Sequence, residues 1–494
     1  MLFRSPGQAV ILVGGGNNGG DGLVVARHLV EAGWEVELRL FVDPERLSGD
    51  AALQWKLVEP MGLSGRRIRD AGEPLDLAGA TVLVDALVGT GLKGDVREPI
   101  RSAIGAIDAS GLPVVAVDTP SGLDGATGQV RGAACRATAT VTFGFPKPGL
   151  LMAAGPSHVG RLVAVPLAYP PAALEAADPA PLRWTTLEAA RQALPPRRHD
   201  AHKGDAGRLL VVAGSERFRG AAVLTATAAL RSGVGLCVVA TPATVAEFLL
   251  AEVPEAIVVP LPVTRTGALA ARAVDEVARA LEGADAAAIG PGLTTGRHVR
   301  QLVESVLSAS IPAVVDADGL NALASDPDPV RRDVPTVLTP HPGELSRWTG
   351  RRPAEIDADR VEAARQAARE HGCRVLLKGS PTVVAGARGE VFLNLTGNPG
   401  LATGGSGDVL TGLLGSLLAQ GVEAPLASRA APLLHGLAAD WGAHDLGERS
   451  LLAGDLLRYL PLAIREVSAG RGIELLERLE HRYAELLAAT GDRR

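Results

Sequence analysis

In the string Thr403-Gly404-Gly405-Ser406-Gly407-Asp408, a carboxylate follows a glycine run at the start of an apolar segment. Gly404, Gly405 and Gly407 let the backbone turn several N–H groups toward one point, an anion-binding nest. The stretch Asp408–Leu418 is almost wholly apolar after its first residue and reads as a buried helix whose positive end faces that nest. Asp408 is then placed to take a proton from a substrate hydroxyl beside a bound phosphate. A plain helix cap is the simpler role for an aspartate, but a cap does not call for TGGSG in front of it. No GxxxxGK[ST] string occurs, which excludes a P-loop.

Four other strings accompany it: His202-Lys203-Gly204-Asp205-Ala206-Gly207, Gly290-Pro291-Gly292-Leu293, Thr339-Pro340-His341-Pro342-Gly343-Glu344 and Lys378-Gly379-Ser380-Pro381-Thr382. His341, alone between prolines, reads as a structural residue or a hydrogen-bond donor to ligand before it reads as a metal ligand. Lys203 is a surface charge or the edge of a site.

The first third of the chain carries a separate set. Gly14–Gly22 (GGGNNGGDG), Asp85–Gly94 (DALVGTGLKG) and Asp118–Gly125 (DTPSGLDG) each follow an aliphatic run. Gly14, Gly16 and Gly19 satisfy GxGxxG, the fingerprint of a dinucleotide-binding dehydrogenase. By itself that is weak, and such loops have little use for Asn17, Asn18 and Asp21. Asp21 as a helix cap and Asn18 as a turn residue are the bland alternatives. Three polar loops converging at strand ends shift the balance, because carboxylate, amide and hydroxyl oxygens together suit a hard cation or a base beside a phosphate-bearing ligand.

The elements that must position these strings alternate. Ala9–Val13, Val36–Val42, Thr81–Ala86, Val114–Asp118 and Ala139–Phe143 read as strands separated by helix-length segments such as Leu23–Ala32. That pattern predicts a mostly parallel sheet covered on both faces, with ligands at the C-terminal strand edge. Tyr169–Pro196, rich in proline and alanine, reads as a linker holding at most one short helix. The alternation then restarts with Arg208–Ala213, the nearly all-apolar helix Gly220–Ser232, Leu236–Ala240, Ala286–Ile289, Ala313–Asp316, Thr336–Leu338 and Val375–Leu377. Ile473–Ala488 reads as a terminal amphipathic helix. The expected division is a first domain over 1–168, a linker over 169–197, a second domain over 198–467 and the terminal helix over 468–494.

At 494 residues two or three cores are required. With 49 Lys and Arg against 55 Asp and Glu, the net charge of -6 offers no field for a nucleic-acid backbone. The three cysteines are far apart and lack CxxC spacing, which argues against a disulfide framework or structural zinc and suits a reducing, cytoplasmic setting. No apolar run reaches membrane-spanning length, so no membrane partner is expected.

Read together, GGGNNGGDG, VDALVGTGLKG, VDTPSGLDGATG and VTFGFPKPGL resemble the NAD(P)H-hydrate epimerase (YjeF N-terminal) domain over about residues 8–167. HKGDAGRLLVVAGS, VDADGLNAL, LTPHPGE, LLKGSPTVV and NPGLATGGSGDVLTG resemble the ribokinase-like superfamily, specifically its NAD(P)H-hydrate dehydratase branch, over about 198–465. The resemblance implies a Rossmann-like α/β/α domain followed by a ribokinase-like α/β domain. For the first it implies potassium held by Asn18, Asp85 and Ser121. Asn17, Asn18, Gly19, Gly20 and Asp21, with Gly89, Thr90, Gly91, Leu92, Lys93, Gly94 and Asp95, would line the hydrated nucleotide, and Asp118 would bind it and move protons. For the second it implies ADP or ATP, with Mg2+, on Lys378, Gly379, Ser380, Pro381, Thr382, Gly404, Gly405, Ser406 and Gly407. Ala222, Gly292, the stretch His341–Arg347 (with Pro342, Gly343 and Glu344) and the base Asp408 would surround the S hydrate of NADH or NADPH.

The expected activity is therefore epimerisation of the R and S hydrates and nucleotide-driven dehydration of the S form, in a homo-oligomer. Members of the epimerase family usually carry a longer, helix-rich segment ahead of the glycine loop. Here 13 residues precede Gly14, so either the domain lacks its N-terminal cap or the start lies upstream. Two other readings stay open: a small-molecule kinase of the ribokinase-like superfamily, and a dehydratase whose first domain is a silent interaction module.

Overall fold

The structure, a computed structural model, describes residues 6–489 except 64, 171, 174–175, 177–181, 195 and 325–331. The chain forms two compact units, Met1–Pro171 with His481–Leu486, and Ala172–Glu480 with Leu487–Arg494.

Among its described residues the first unit holds a seven-stranded sheet in the order β3-β2-β1-β4-β5-β6-β7. The strands are β1 (Gln8–Val13), β2 (Glu35–Leu40), β3 (Gly65–Arg67), β4 (Val82–Ala86), β5 (Val114–Val117), β6 (Ala139–Phe143) and β7 (Arg161–Val165). All pairings are parallel. Central strands buried on both faces must be apolar throughout, and Ala9–Val13 are all buried. One core packs on each face: Leu12, Leu83, Ile104 and Ile107 on one, and Ile11, Leu23, Leu38 and Val84 on the other. The strand order reverses between β1 and β4, so the crevice there opens at Gly14 and Asp85.

Among its described residues the second unit holds a ten-stranded sheet, β11-β10-β9-β12-β13-β14-β15-β16-β17-β8. Its strands are β8 (Leu182–Trp184), β9 (Arg208–Val212), β10 (Leu236–Pro242), β11 (Ile257–Leu261), β12 (Ala286–Ile289), β13 (Ala313–Val315), β14 (Thr336–Leu338), β15 (Arg374–Leu377), β16 (Thr382–Ala385) and β17 (Val391–Asn394). The run from β11 to β15 is parallel, and β16 turns back antiparallel. The apolar helix Ser406–Ala419 is buried from Val409 to Ala419, as its composition requires.

Three expectations change. The proline-rich stretch is not wholly linker: Leu182–Trp184 pairs with Val391–Leu393 at the sheet edge, and Leu187–Gln192 is a short helix capped by Thr186. Pro171, Pro179, Pro181 and Pro195 of that stretch lie outside the described residues. The terminal helix is broken into Gly472–Arg478 and Ala484–Leu487, with Glu480 between them at φ +47°, outside helical geometry. Tyr483, in the second piece's approach, is buried and donates to Leu150 O. Finally, both glycine-rich helices begin earlier than expected, at Asn17 rather than Leu23 and at Ser406 rather than Asp408.

Candidate active sites

Asn17–Asp21 form the first turns of the helix Asn17–Glu31, whose N-cap is Gly16. Gly19 must be glycine here, since a Cβ would meet Gly14 O at 2.0 Å. That close approach seats the helix N-terminus against the end of β1 and buries Asn18 and Gly20. Gly89 lies against Asn18, whose Cβ, Cγ and Oδ1 are each 3.2 Å from where a Gly89 Cβ would stand.

Asp85, in β4, is fully buried. Its Oδ1 accepts from the Ser121 hydroxyl at 2.5 Å and from Leu87 N at 3.3 Å, and its Oδ2 accepts from Ser121 N at 2.8 Å. Ser121 Oγ in turn accepts from Val88 N at 2.9 Å. Burial raises the Asp85 carboxyl above its ordinary range, opposed by those donors. These contacts draw Asn18, the Asp85 loop and Ser121 together. Both side-chain polar atoms of Asn18 are buried without a hydrogen-bond partner, a costly state unless a further group satisfies them. Among the described residues no group of three or more His, Cys, Asp or Glu is arranged around a metal. The oxygen donors of Asn18, Asp85 and Ser121 fit a hard cation such as potassium, not a soft metal.

Asp118 follows β5 at φ +63°, a conformation that non-glycine residues rarely adopt and that turns the chain sharply at the sheet edge. Its Oδ1 accepts from Phe143 N at 3.0 Å, from Thr142 Oγ1 at 3.2 Å and from the Lys147 ammonium. Lys147 also donates to Thr142 Oγ1 at 3.0 Å and Phe143 O at 3.1 Å, so all three of its N–H groups are used. The Asp21 carboxyl is raised by burial and by the charges of Asp118 and Asp50. Thr90 and Lys147 both flank Gly125, at 3.5 and 3.6 Å from its Cβ position. Thr90, Gly91, Lys93, Gly94 and Asp95 form an exposed rim, with Gly89 and Leu92 half-buried. Lys147 had not been singled out from sequence; its signal was a lone cation in Pro146-Lys147-Pro148.

In the second unit Gly405 caps the helix Ser406–Ala419 at φ +94°, and Asp408 stands in the first turn rather than at the cap. A simple capping role for Asp408 is thereby excluded. His435, on the helix Ala424–Leu446, meets Ser406 O at 3.0 Å, and Ser406 Oγ donates to Leu401 O and Thr403 O. Burial lowers His435 to about 4, so this contact is made by a neutral imidazole donating its N–H.

Asp408 is pushed up to about 7, first by burial and next by the Asp316 carboxylate, with Lys378 opposing and Asp318 adding. Asp316, almost fully buried after β13, accepts from Lys378 Nζ at 2.7 Å and from Thr411 Oγ1 at 2.7 Å. Lys378 Nζ lies 3.7 Å from Glu344 Oε2. Burial works against its charge, but Asp316, Glu344 and Asp408 outweigh burial and raise it. Glu344 is raised by burial, with Lys378 opposing.

The Lys378 ammonium thus faces the carboxylates of Asp316 and Glu344, beneath Gly407 of the glycine loop. The loop itself is pinned by Arg360, which donates to Lys378 O at 2.8 Å, and Thr382 Oγ1 donates to Gly379 O at 3.1 Å. Ser380 and Pro381 complete that turn before β16.

His341 caps the helix Pro342–Thr349 through Gly343 N at 2.9 Å and Glu344 N at 3.3 Å. Arg347 donates to Asn321 Oδ1, and Asn321 to Asp318. Gly292 packs on Phe218 and Ala221 at the start of the helix Arg219–Arg231. The Ala222 methyl is fully buried against Gly214, early in the helix Arg219–Arg231. Asp316 had not been singled out either, although VDADGLNAL contains it; a strand-end carboxylate was the available signal.

Residues 209–462 match the family model described as NAD(P)H-hydrate dehydratase, and residues 2–149 match that of the YjeF-related protein N-terminus. A bifunctional NAD(P)H-hydrate repair enzyme of Moorella thermoacetica is 43% identical over 93% of this chain and 88% of its own length. The corresponding enzyme of Escherichia coli is 37% identical over 91% and 84%. An ADP/ATP-dependent NAD(P)H-hydrate dehydratase of Bacillus subtilis, co-crystallised with ATP and Mg2+, is 35% identical with a TM-score of 0.52, covering 59% of this chain and 100% of its own. Matched along nearly its whole length, with both domain models in the same order, the chain belongs to the family of bifunctional NAD(P)H-hydrate repair enzymes.

Proposed function

We propose that the first unit interconverts the R and S hydrates of NADH or NADPH and that the second dehydrates the S hydrate at the expense of ADP or ATP. The observation that carries this reading is Asp408 itself. It stands in the first turn of a buried helix behind a left-handed glycine, with its carboxyl raised to about 7. A base at that poise takes the proton of the C6 hydroxyl while the terminal phosphoryl group of the nucleotide is transferred to the C6 oxygen. The ring nitrogen lone pair then expels phosphate from C6, and loss of a proton from C5 restores the dihydropyridine. Phosphate leaves readily at neutral pH where hydroxide does not, which is why nucleotide is consumed. Backbone N–H groups around Gly404–Gly407 stabilise the charge on the transferred group.

In this reading Lys378–Thr382 and the Gly404–Gly407 nest bind the nucleotide, with Lys378 acting mainly on the neighbouring carboxylates. Ala222, Gly292, His341–Arg347 and Asp408 would surround the hydrate. Mg2+ would arrive on the nucleotide phosphates, where no all-protein cage is needed. In the first unit Asn18, Asp85 and Ser121 would hold potassium, which would supply a fixed positive charge beside the ligand phosphate; the unpartnered Asn18 amide supports that assignment. Asn17–Asp21 and Gly89–Asp95 would line the hydrate, with Asp118 moving protons. An assembly of identical chains belongs to the same reading, as does a cytoplasmic location, in keeping with free, buried Cys135, Cys237 and Cys373. Among the described residues no helix is long and apolar enough to cross a membrane.

The test is to incubate the purified chain with mixed R and S NADH hydrate and ADP or ATP, following the absorbance band of NADH. Complete recovery is expected if both units act. Recovery of the S fraction alone would leave the first unit silent, a phosphorylated product would make the second a kinase, and no recovery with either nucleotide would overturn the reading.

A further inference from the structure

Asp316 is the most enclosed charge in the second unit's site, and neither of its oxygens faces solvent: the side chain is 1% exposed. Its Oδ1 accepts from Lys378 Nζ and its Oδ2 from Thr411 Oγ1, both at 2.7 Å. Thr411 lies one turn beyond Asp408 on the same helix, so Asp316 grips the helix that carries the base. Gly407, the residue before Asp408, sits directly over this pair. A Cβ there would stand 3.3 Å from Lys378 Nζ and 3.6 Å from Asp316 Oδ2. A buried ion pair is costly to desolvate and needs complete hydrogen bonding to persist. Here three elements, the ends of β13 and β15 and the helix Ser406–Ala419, converge to provide it.

We propose that Asp316 is a positioning residue of the dehydratase site, holding the Lys378 ammonium and the Thr411 hydroxyl so that one buried ion pair sets the charge around Asp408. This rests on the reading of Asp408 as the base. The other charged or titratable groups of the cluster are Asp318 and Glu344, together with His341 above Glu344 and His435 below the nest. Lys378 is the cation among them whose charge acts on Asp408, and Asp316 is its nearest partner. Without the Asp316 charge, Lys378 is shared between Glu344 and Asp408 alone. A carboxylate freed of a like charge and offered more of a cation loses its proton at lower pH.

The experiment uses the full chain, S-NADH hydrate, ADP with Mg2+, and kcat/KM between pH 5 and 9. Asp316→Asn is expected to lower the rate and to move the acidic limb down by about one pH unit. Asp316→Glu, which keeps the charge and displaces it, is expected to lower kcat with the limb unmoved. Thr411→Val changes no charge and is likewise expected to leave the limb in place. Asp316→Ser removes the same charge with a smaller side chain and serves if Asp316→Asn does not fold. An acidic limb in the charge-removing variants that coincides with wild type, or that shifts equally in Thr411→Val, would overturn the proposal. Failure of the wild type to dehydrate S-hydrate would instead overturn the reading on which it rests.

Discussion

Ser121 satisfies both oxygens of Asp85, giving its hydroxyl to Oδ1 at 2.5 Å and its backbone N–H to Oδ2 at 2.8 Å. The two residues are 36 positions apart, and the contact ties β4 to the turn after β5 in a place that water does not reach. A buried carboxylate that loses such a donor bears the desolvation cost uncompensated. Ser121→Ala is expected to destabilise the first unit by about 1–3 kcal/mol, read from denaturant unfolding. It should also weaken any dependence of epimerisation on potassium, read by replacing potassium with sodium at constant ionic strength.

Asp118 and Lys147 give a second prediction. Among the described residues the three donors to Asp118 converge on Oδ1, which under the proposed function leaves Oδ2 to meet the ligand. Asp118→Ala is expected to stop NADH recovery from mixed hydrates at the S fraction in short assays, while pure S hydrate is still consumed at the wild-type rate. Lys147→Gln should lower the R-to-S rate by about 10–100-fold, because Asp118 loses its charged partner and keeps only the Phe143 N–H and Thr142 hydroxyl. Wild-type recovery of the R fraction by Asp118→Ala would count against its role.

The pH dependence of dehydration follows from Asp408, raised to about 7. A base must be ionised to act, so kcat/KM is expected to rise about tenfold per unit below that value and level off above it. Asp408→Asn should lower the rate at least about 100-fold above pH 7, with the gap to wild type narrowing about tenfold per unit below that value. For stability the sign is opposite. The folded carboxyl binds its proton more tightly than the unfolded one, so its contribution is full below about 4 and is lost as pH rises through about 7. Asp408→Asn should therefore unfold at a higher temperature than wild type at pH 8, and the difference should vanish near pH 4.

Gly405 supplies the fourth. At φ +94° an added Cβ would also meet Leu224 Cδ1 at 2.6 Å. Gly405→Ala is expected to cost about 1–3 kcal/mol and to weaken nucleotide binding by distorting the nest, measured by calorimetric titration with ADP. Unchanged affinity would place the nucleotide elsewhere.

Much of this was legible in the chain alone. Runs such as Ala9–Val13 and Arg208–Val212 alternate with helix-length segments because strands buried on both faces must be apolar, and that local rule predicts two parallel sheets. Glycine-rich strings with stranded polar residues at strand ends marked Asn18, Asp85, Asp118, Ser121 and Asp408 for the same reason: only glycine allows the backbone approach found at Gly19 and the left-handed turn found at Gly405. What only the tertiary structure decided is which side chains meet. Leu182–Trp184 is short and sits among prolines, and becomes a strand because an open sheet edge accepts it at Val391–Leu393. Lys147 reaches Asp118 across 29 residues, and Lys378 reaches Asp316 across 62. Hydrophobic spacing records which face a residue takes within its own element. The pairing of buried charges depends on how separate elements converge, and no local pattern encodes it.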